Sequence, residues 1–176
     1  MRILILADIF GIESIPTELI TKDTFILEPY KINKSVTNET LLYNAFIEKS
    51  GHDNYFQIAY KKTIELKPDI VIGFSIGGSI AWRLSNFKIS SKIICFYPSQ
   101  IRNHLDIVPK VKTTIVFPKK ELHFDLNRVK EKLTSKKNVN LQNSTELHGF
   151  MNKKSINYNK DEKFKFIKNI LNNFYK

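Results

Sequence analysis

Short apolar runs alternate with amphipathic segments along this chain. Five runs predict β-strands, at residues 2–7, 24–27, 69–72, 92–97 and 113–117, and a weaker sixth lies at 139–141. Helical spacing of apolar side chains predicts helices at residues 38–50, 53–66, 76–85, 126–133 and 163–174, with a short one at 16–19. Strands that alternate with helices favour an α/β fold with a mostly parallel sheet and helices on both faces.

The helix predicted at 53–66 has a clear apolar face. Asp53 is expected to be its N-cap, because a carboxylate there accepts hydrogen bonds from the first free N–H groups. Pro68 lies just beyond the predicted end, where proline stops a helix. The buried face is expected to contain Phe56, Ala59, Tyr60 and Ile64.

The chain is expected to form one domain over residues 1–176, because single domains commonly reach this length. No internal repeat, low-complexity linker or break in composition divides it. The hydrophobic fraction of 42% is typical of a soluble globular protein. Its longest apolar runs are far too short to cross a bilayer, so no membrane partner is expected.

The net charge of +11 suggests a nucleic-acid partner, but the kind of basic residue argues against one. Almost all positive residues are lysines, spread along the chain, whereas readers of phosphates and bases favour the planar fork of arginine. The arginines are Arg2, Arg83, Arg102 and Arg128. No nucleic acid is therefore expected. A basic module on an anionic polymer is the alternative, and it would bind heparin in a strongly salt-dependent way.

The single cysteine, Cys95, rules out an internal disulfide and is typical of a reducing compartment. The first predicted strand follows Met1 directly, which leaves no room for a signal peptide. A cytoplasmic location is the resulting expectation. No spacing of His, Cys, Asp and Glu matches a metal site, so neither a metal nor a cofactor is expected.

The most specific pattern is Gly73-Phe74-Ser75-Ile76-Gly77-Gly78, between a predicted strand and a predicted helix. A strand, Gly-x-Ser-x-Gly and a helix form a nucleophile elbow. The sharp turn strains the serine backbone and leaves almost no space for neighbouring side chains, which glycine satisfies. Ser75 is therefore the predicted nucleophile, and the alternative is a glycine-rich turn with an unreactive serine.

A nucleophilic serine needs a histidine base oriented by an acid, and in such hydrolases the chain order is nucleophile, acid, histidine. The histidines are His52, His104, His123 and His148. His52 precedes Ser75, and His104 follows the fourth strand too early. His148 comes after the last predicted strand and is the predicted base, with a surface loop histidine as the alternative.

The acid is expected in the loop after the fifth strand, which offers Glu121 and Asp125. Glu121 is closer to the strand end and is the first choice. Asp125 is the alternative acid, although it is equally suited to cap the helix that follows. His123, between the two, is badly placed to act as the base for either.

An oxyanion hole requires two preorganised N–H donors. The first predicted donor is the backbone N–H of Ile76, the residue after the nucleophile. The second is the backbone N–H of Ile9, in the loop after the first strand. Asp8 and Phe10 in that loop are expected near the nucleophile. An aspartate after a strand is also an ordinary turn residue, so Asp8 has a structural alternative. Phe10, Tyr97 and Phe150 border the predicted site in sequence and favour an apolar pocket.

Several segments, in order, resemble the dienelactone hydrolase family: the loop 8–12, the elbow 73–78, Phe96-Tyr97-Pro98, Pro109-Lys110-Val111, Glu121-Leu122-His123-Phe124 and His148-Gly149-Phe150. The resemblance spans nearly the whole chain. It implies an α/β-hydrolase fold with Ser75 as nucleophile, Glu121 as acid and His148 as base. It further implies Ile9 and Ile76 as oxyanion donors and Asp8 near the nucleophile.

The chain departs from that family at three positions. The namesake enzymes have cysteine at Ser75 and usually aspartate at Glu121, and Asn152 stands where they carry an arginine that grips a substrate carboxylate. A dienelactone is therefore not the expected substrate. The sequence predicts a serine hydrolase of small-molecule carboxylic esters or thioesters. The alternative is a catalytically inactive binding protein with the same fold.

Overall fold

A computed structural model describes residues 1–32 and 36–174. The strands are β1 (Ile3–Leu6), β2 (Thr24–Leu27), β3 (Ile70–Phe74), β4 (Lys92–Phe96), β5 (Lys112–Phe117) and β6 (Val139–Asn143). The α-helices are α1 (Glu39–Lys49), α2 (Gly51–Leu66), α3 (Ile76–Leu84), α4 (Leu126–Thr134) and α5 (Lys160–Phe174). Short 3₁₀ turns lie at Gly11–Ser14, Thr17–Leu19 and Ile101–Asn103. Within the described ranges, no helix is long and apolar enough to cross a membrane.

The six strands form one sheet in the order β2-β1-β3-β4-β5-β6, and every neighbouring pair is parallel. The predicted α/β fold with a parallel sheet is therefore confirmed. Parallel strands place all their carboxyl ends at one edge, so the loops that follow them gather there. β3 lies between β1 and β4 in this sheet, which puts the loop after β3 at the middle of that edge.

Alternate residues along each strand face opposite layers of the core, as the period of two in a strand requires. Leu4 and Leu6 belong to a cluster with α2, α3 and α4 on one face. Ile3 and Ile5 belong to a second cluster with α5 and the turns near Ile15 on the other face. Helices therefore cover both faces of the sheet.

The start and the buried face of α2 differ from prediction. Ser50, not Asp53, is its N-cap. The buried positions are Tyr55, Ala59 and Thr63, whereas Ile64 is half-exposed. The cause is a long-range contact: the Tyr55 hydroxyl lies 3.0 Å from the Ala7 carbonyl oxygen and 2.9 Å from that of Leu27. This contact rotates α2 so that Tyr55 points at the ends of β1 and β2.

Candidate active site

Ser75 occupies a tight turn between β3 and α3. Its φ is 51°, in the left-handed region that non-glycine residues rarely adopt. A Cβ on Gly73 would overlap the carbonyl oxygen of Gly77, and a Cβ on Gly77 would overlap that of Leu6. Glycine at both positions therefore lets α3 pack directly against the sheet and leaves Ser75 at the carboxyl edge.

The side chains of Ser75, His148 and Glu121 form a continuous hydrogen-bonded series. Ser75 Oγ lies 2.9 Å from His148 Nε2, and His148 Nδ1 lies 2.9 Å from Glu121 Oε1. The Glu121 side chain is only 6% exposed, whereas that of His148 is 29% exposed. The series therefore runs from a buried carboxylate to a serine at the surface of a cavity.

Asp125, the alternative acid, lies elsewhere. Its Oδ1 accepts hydrogen bonds from the N–H groups of Asn127 (2.9 Å) and Arg128 (3.2 Å), so that it caps α4. This is the role that its position before a helix also suggested. Of the two carboxylates in this loop, Glu121 therefore bonds to His148, and Asp125 caps α4.

The remaining histidines do not bond to Ser75. His52 packs edge-on against Phe46, with ring centroids 5.0 Å apart. Burial is the main cause that lowers the pKa of both His52 and His104, and the charge of Arg83 lowers each further. His123 lies on the rim of the cavity, in the same loop as Glu121. His148 alone among these four histidines contacts Ser75.

The loop that carries His148 is anchored at several points. The Asn157 side chain donates from Nδ2 to the His148 carbonyl oxygen over 2.9 Å. The Lys119 N–H donates to the Glu146 carbonyl oxygen over 2.7 Å and joins this loop to the one that carries Glu121. No sequence pattern singled out Asn157; its only signal is an amide side chain in an otherwise irregular loop.

The two predicted oxyanion donors, Ile9 and Ile76, both line the cavity. Ile76 is the first residue of α3, where an N–H group has no partner within the helix. In the loop after β1, the neighbouring Phe10 N–H donates to Asp8 Oδ1 over 2.8 Å. Within residues 1–32 and 36–174, neither the Ile9 nor the Ile76 N–H makes a hydrogen bond. Both N–H groups are therefore available as hydrogen-bond donors.

Asp8 lies buried beside this site, 4% exposed. Burial raises the pKa of its carboxyl to about 6, against the opposing effect of its hydrogen bonds. One of those bonds comes from Asn152, whose Nδ2 donates to Asp8 Oδ2 over 3.1 Å. Asn152 is itself buried, so it acts here as an internal partner of Asp8.

The cavity over Ser75 has a volume of about 850 Å³. Its lining includes both of the predicted neighbours Asp8 and Phe10, together with Tyr97. Phe150 is buried behind Tyr97, with ring centroids 5.4 Å apart, and does not line the cavity. The helix α1 adds a rim that the sequence did not predict, through Glu39, Thr40 and Tyr43.

In the part of the chain that the structure describes, no cluster of His, Cys, Asp and Glu could hold a metal.

Sequence comparison identifies the family of this chain. The profile of the dienelactone hydrolase family matches residues 41–176. The chain belongs to the dienelactone hydrolase family. It is also 31% identical over 138 residues to the uncharacterized protein YczH of Bacillus subtilis (strain 168). That alignment covers 77% of this chain and 61% of YczH, so the chain spans about three fifths of the length of this relative.

Solved structures of other proteins have the same fold as this member of the dienelactone hydrolase family. A candidate dienelactone hydrolase from Klebsiella pneumoniae subsp. pneumoniae MGH 78578 has a TM-score of 0.72 at 11% identity, over 97% of this chain and 84% of that one. Est1E from Butyrivibrio proteoclasticus has a TM-score of 0.58 at 12% identity, over 99% and 88%. The enol-lactonase from Burkholderia xenovorans LB400 has a TM-score of 0.54 at 9% identity, over 99% and 92%. These similarities confirm the α/β-hydrolase fold.

Proposed function

We propose that this family member hydrolyses carboxylic esters or thioesters, with Ser75 as nucleophile, His148 as base and Glu121 as acid. The observation that carries the proposal is the series of two 2.9 Å hydrogen bonds from Ser75 through His148 to Glu121. A serine hydroxyl is a weak nucleophile at neutral pH. An imidazole held by a carboxylate on its other nitrogen is the usual means of activating it.

In the proposed reaction, His148 Nε2 removes the hydroxyl proton of Ser75 while Oγ attacks the carbonyl carbon of the substrate. Glu121 holds Nδ1–H, which keeps the proton-free nitrogen facing Ser75 and stabilises the imidazolium that forms. The imidazolium then protonates the departing alcohol or thiol, and an acyl ester of Ser75 remains. Water, deprotonated by His148, then attacks the carbonyl carbon of this ester. The bond from that carbon to Ser75 Oγ breaks, His148 returns the proton to Oγ, and the carboxylic acid leaves.

The Ile9 and Ile76 N–H groups are the proposed donors to the oxyanion of the tetrahedral intermediate. Ile76 lies at the N-terminus of α3, where the helix dipole favours negative charge. Preorganised donors of this kind matter greatly, since removal of one typically lowers the rate about 10²–10³-fold. The turn at Ser75 supports the proposal because Ser75 and the neighbouring Ile76 both line the cavity.

The cavity favours a small-molecule substrate with an apolar or aromatic group. Its lining includes the aromatic residues Phe10 and Tyr43 and the aliphatic residues Leu122 and Leu147. Est1E, one of the structural neighbours, has a structure with ferulic acid bound. A first substrate panel therefore contains methyl ferulate, simple phenyl esters and the matching thioesters.

Labelling with a fluorophosphonate, located by peptide mass spectrometry, tests the mechanism, because this reagent reacts with a serine whose base and oxyanion donors are assembled. We expect an adduct on Ser75 that is lost in Ser75→Ala and in His148→Ala. His123→Ala is the matched control, since His123 lies in the Glu121 loop but does not bond to Ser75, and it is expected to retain the adduct. An unlabelled, well-folded wild-type protein would overturn the mechanism and favour the inactive binding protein.

A further inference from the structure

Tyr97 has an unusual backbone conformation next to the candidate site. It directly follows β4, and its φ is 36°, a value that a bulky residue adopts only rarely. Its N–H donates to the Val116 carbonyl oxygen over 2.7 Å, which ties this conformation to β5. Strained backbone persists where the surrounding structure enforces it, and it occurs preferentially at functional sites. This conformation therefore suggests a functional role for the Tyr97 side chain.

The Tyr97 ring is buried, 1% exposed, and packs against the imidazole of His148. The two ring centroids lie 4.9 Å apart with planes inclined by 53°. On its other side the Tyr97 ring meets Phe150, which is itself packed against Phe166 of α5 at 5.5 Å. Of these three rings, only that of Tyr97 contacts His148.

The Tyr97 hydroxyl does not explain why a tyrosine stands here. It is buried, and among the described residues it makes no hydrogen bond of normal geometry, although it approaches the Met151 backbone. Burial, and secondarily the charge of Asp8, raise the pKa of Tyr97 well above its usual value, so the phenol is neutral. An unpaired buried hydroxyl is a cost to stability, which leaves the ring as the useful part of the side chain.

His148 benefits from a packed neighbour because one of its two hydrogen-bond partners is the reacting hydroxyl itself. Once Ser75 Oγ is acylated in the proposed reaction, its proton no longer bridges to Nε2, and of the two bonds only the one from Nδ1 to Glu121 still holds the imidazole. A ring packed against the imidazole limits its rotation at that stage. The Tyr97 ring is the aromatic side chain that contacts His148 in the described part of the chain.

We propose that Tyr97 is a positioning residue for His148: its ring fixes the imidazole plane so that Nε2 stays aligned with Ser75 Oγ. This inference rests on the proposed hydrolase mechanism. The proposal also explains the strained turn after β4, because this turn sets the position of the Tyr97 ring against His148. Small misplacements of a reacting group lower rates by large factors, so the ring is expected to affect the chemical step more than substrate binding.

Three variants test the inference by their rates of fluorophosphonate labelling and of ester hydrolysis. Tyr97→Leu removes the ring, and kcat and the labelling rate are expected to fall about 10- to 100-fold with KM changed less than about twofold. Tyr97→Phe keeps the ring and is expected to restore most of the rate. Phe166→Leu is the matched control, because Phe166 is buried in the same row of rings without contacting His148. Tyr97→Gly replaces Tyr97→Leu if the latter does not fold, since glycine relieves the positive φ.

A second readout is independent of turnover. In protein labelled with ¹⁵N-histidine, the wild-type His148 nitrogens are expected to give one sharp set of NMR signals, assigned by their loss in His148→Ala. These signals are expected to broaden or shift in Tyr97→Leu and to stay unchanged in Phe166→Leu. An inert Ser75 in the wild type would defeat the proposed function and leave the NMR comparison to decide the role of Tyr97. Unchanged His148 signals in Tyr97→Leu, or an equal loss of rate in Phe166→Leu, would overturn the inference.

Discussion

Asn152 donates a hydrogen bond from Nδ2 to Oδ2 of Asp8 over 3.1 Å, and both side chains are buried. The bond joins the loop after β1 to the loop after β6, which lie 144 residues apart in the chain. These two loops also carry Ile9 and His148. A neutral amide thus partners the buried carboxyl of Asp8.

The first prediction concerns the pH dependence of stability. Because burial raises the pKa of Asp8 to about 6, the folded protein holds this proton more tightly than the unfolded chain, whose ordinary value is 3.8. The stabilisation is complete below the unfolded pKa and is lost as the pH rises through about 6. Relative to Asp8→Asn, the wild type is expected to lose about 2 kcal/mol of unfolding free energy between about pH 4 and about pH 7.

Urea denaturation of both proteins across this pH range measures the difference. Other ionisable groups titrate equally in the two proteins, so they cancel when the two curves are subtracted. The charge of His148 contributes to the pKa of Asp8, and the same pair of measurements in the His148→Ala background removes that contribution. Parallel stability curves for the wild type and Asp8→Asn would show that Asp8 titrates normally.

The second prediction separates the two carboxylates after β5. Glu121→Gln is expected to lower kcat by up to about 10⁴-fold, because a neutral amide no longer holds the His148 tautomer that presents a free Nε2 to Ser75. Asp125→Asn is the matched change, and asparagine also caps helices well. It is therefore expected to leave both the rate and the melting temperature nearly unchanged. A larger rate loss for Asp125→Asn would assign the acid to Asp125.

The sequence predicted the location of the candidate site because of one geometric rule. In a parallel sheet every loop after a strand reaches the same edge, and Ser75, Glu121 and His148 follow β3, β5 and β6. Chain order then selected one histidine of four. The structure brings these three side chains within hydrogen-bonding distance of one another in series.

The contacts that hold the site in place depend on tertiary structure and left no local pattern. The amide of Asn157 reaches the His148 carbonyl oxygen within an irregular loop that has no periodicity to analyse. The left-handed conformation of Tyr97 occurs where its N–H donates to the carbonyl oxygen of Val116 on another strand. The buried face of α2 likewise depends on a hydroxyl that meets carbonyl oxygens 48 and 28 residues away.

The third prediction concerns the space beneath the nucleophile turn. A Cβ on Gly77 would overlap the Leu6 carbonyl oxygen, so Gly77→Ala must push α3 away from β1. We expect a loss of about 3 kcal/mol in unfolding free energy, together with a fall in Ser75 labelling because Ile76 moves as well. Gly51→Ala is the control: its φ is 69°, but nothing lies within 4 Å of the added carbon. That change is expected to cost about 1–2 kcal/mol and to spare the labelling. Equal effects on labelling would contradict the packing argument.

The fourth prediction concerns Asn157, which anchors the proposed base through its backbone. Asn157→Ala removes the hydrogen bond to the His148 carbonyl oxygen, at a cost of about 1 kcal/mol in stability. We expect kcat to fall about tenfold with KM nearly unchanged, because the loop then holds the imidazole less firmly against Ser75.

Asn159→Ala provides the matched comparison for this anchor. Asn159 Oδ1 accepts from the N–H groups of Asp161 and Glu162 at the start of α5, so its loss is expected to cost a similar amount, about 1 kcal/mol. Asn159 does not touch His148, so the kcat of Asn159→Ala is expected to stay near the wild-type value. If the two variants lost stability equally and activity equally, Asn157 would be a general stabiliser of the loop. A rate loss confined to Asn157→Ala would show that the carbonyl contact positions the base.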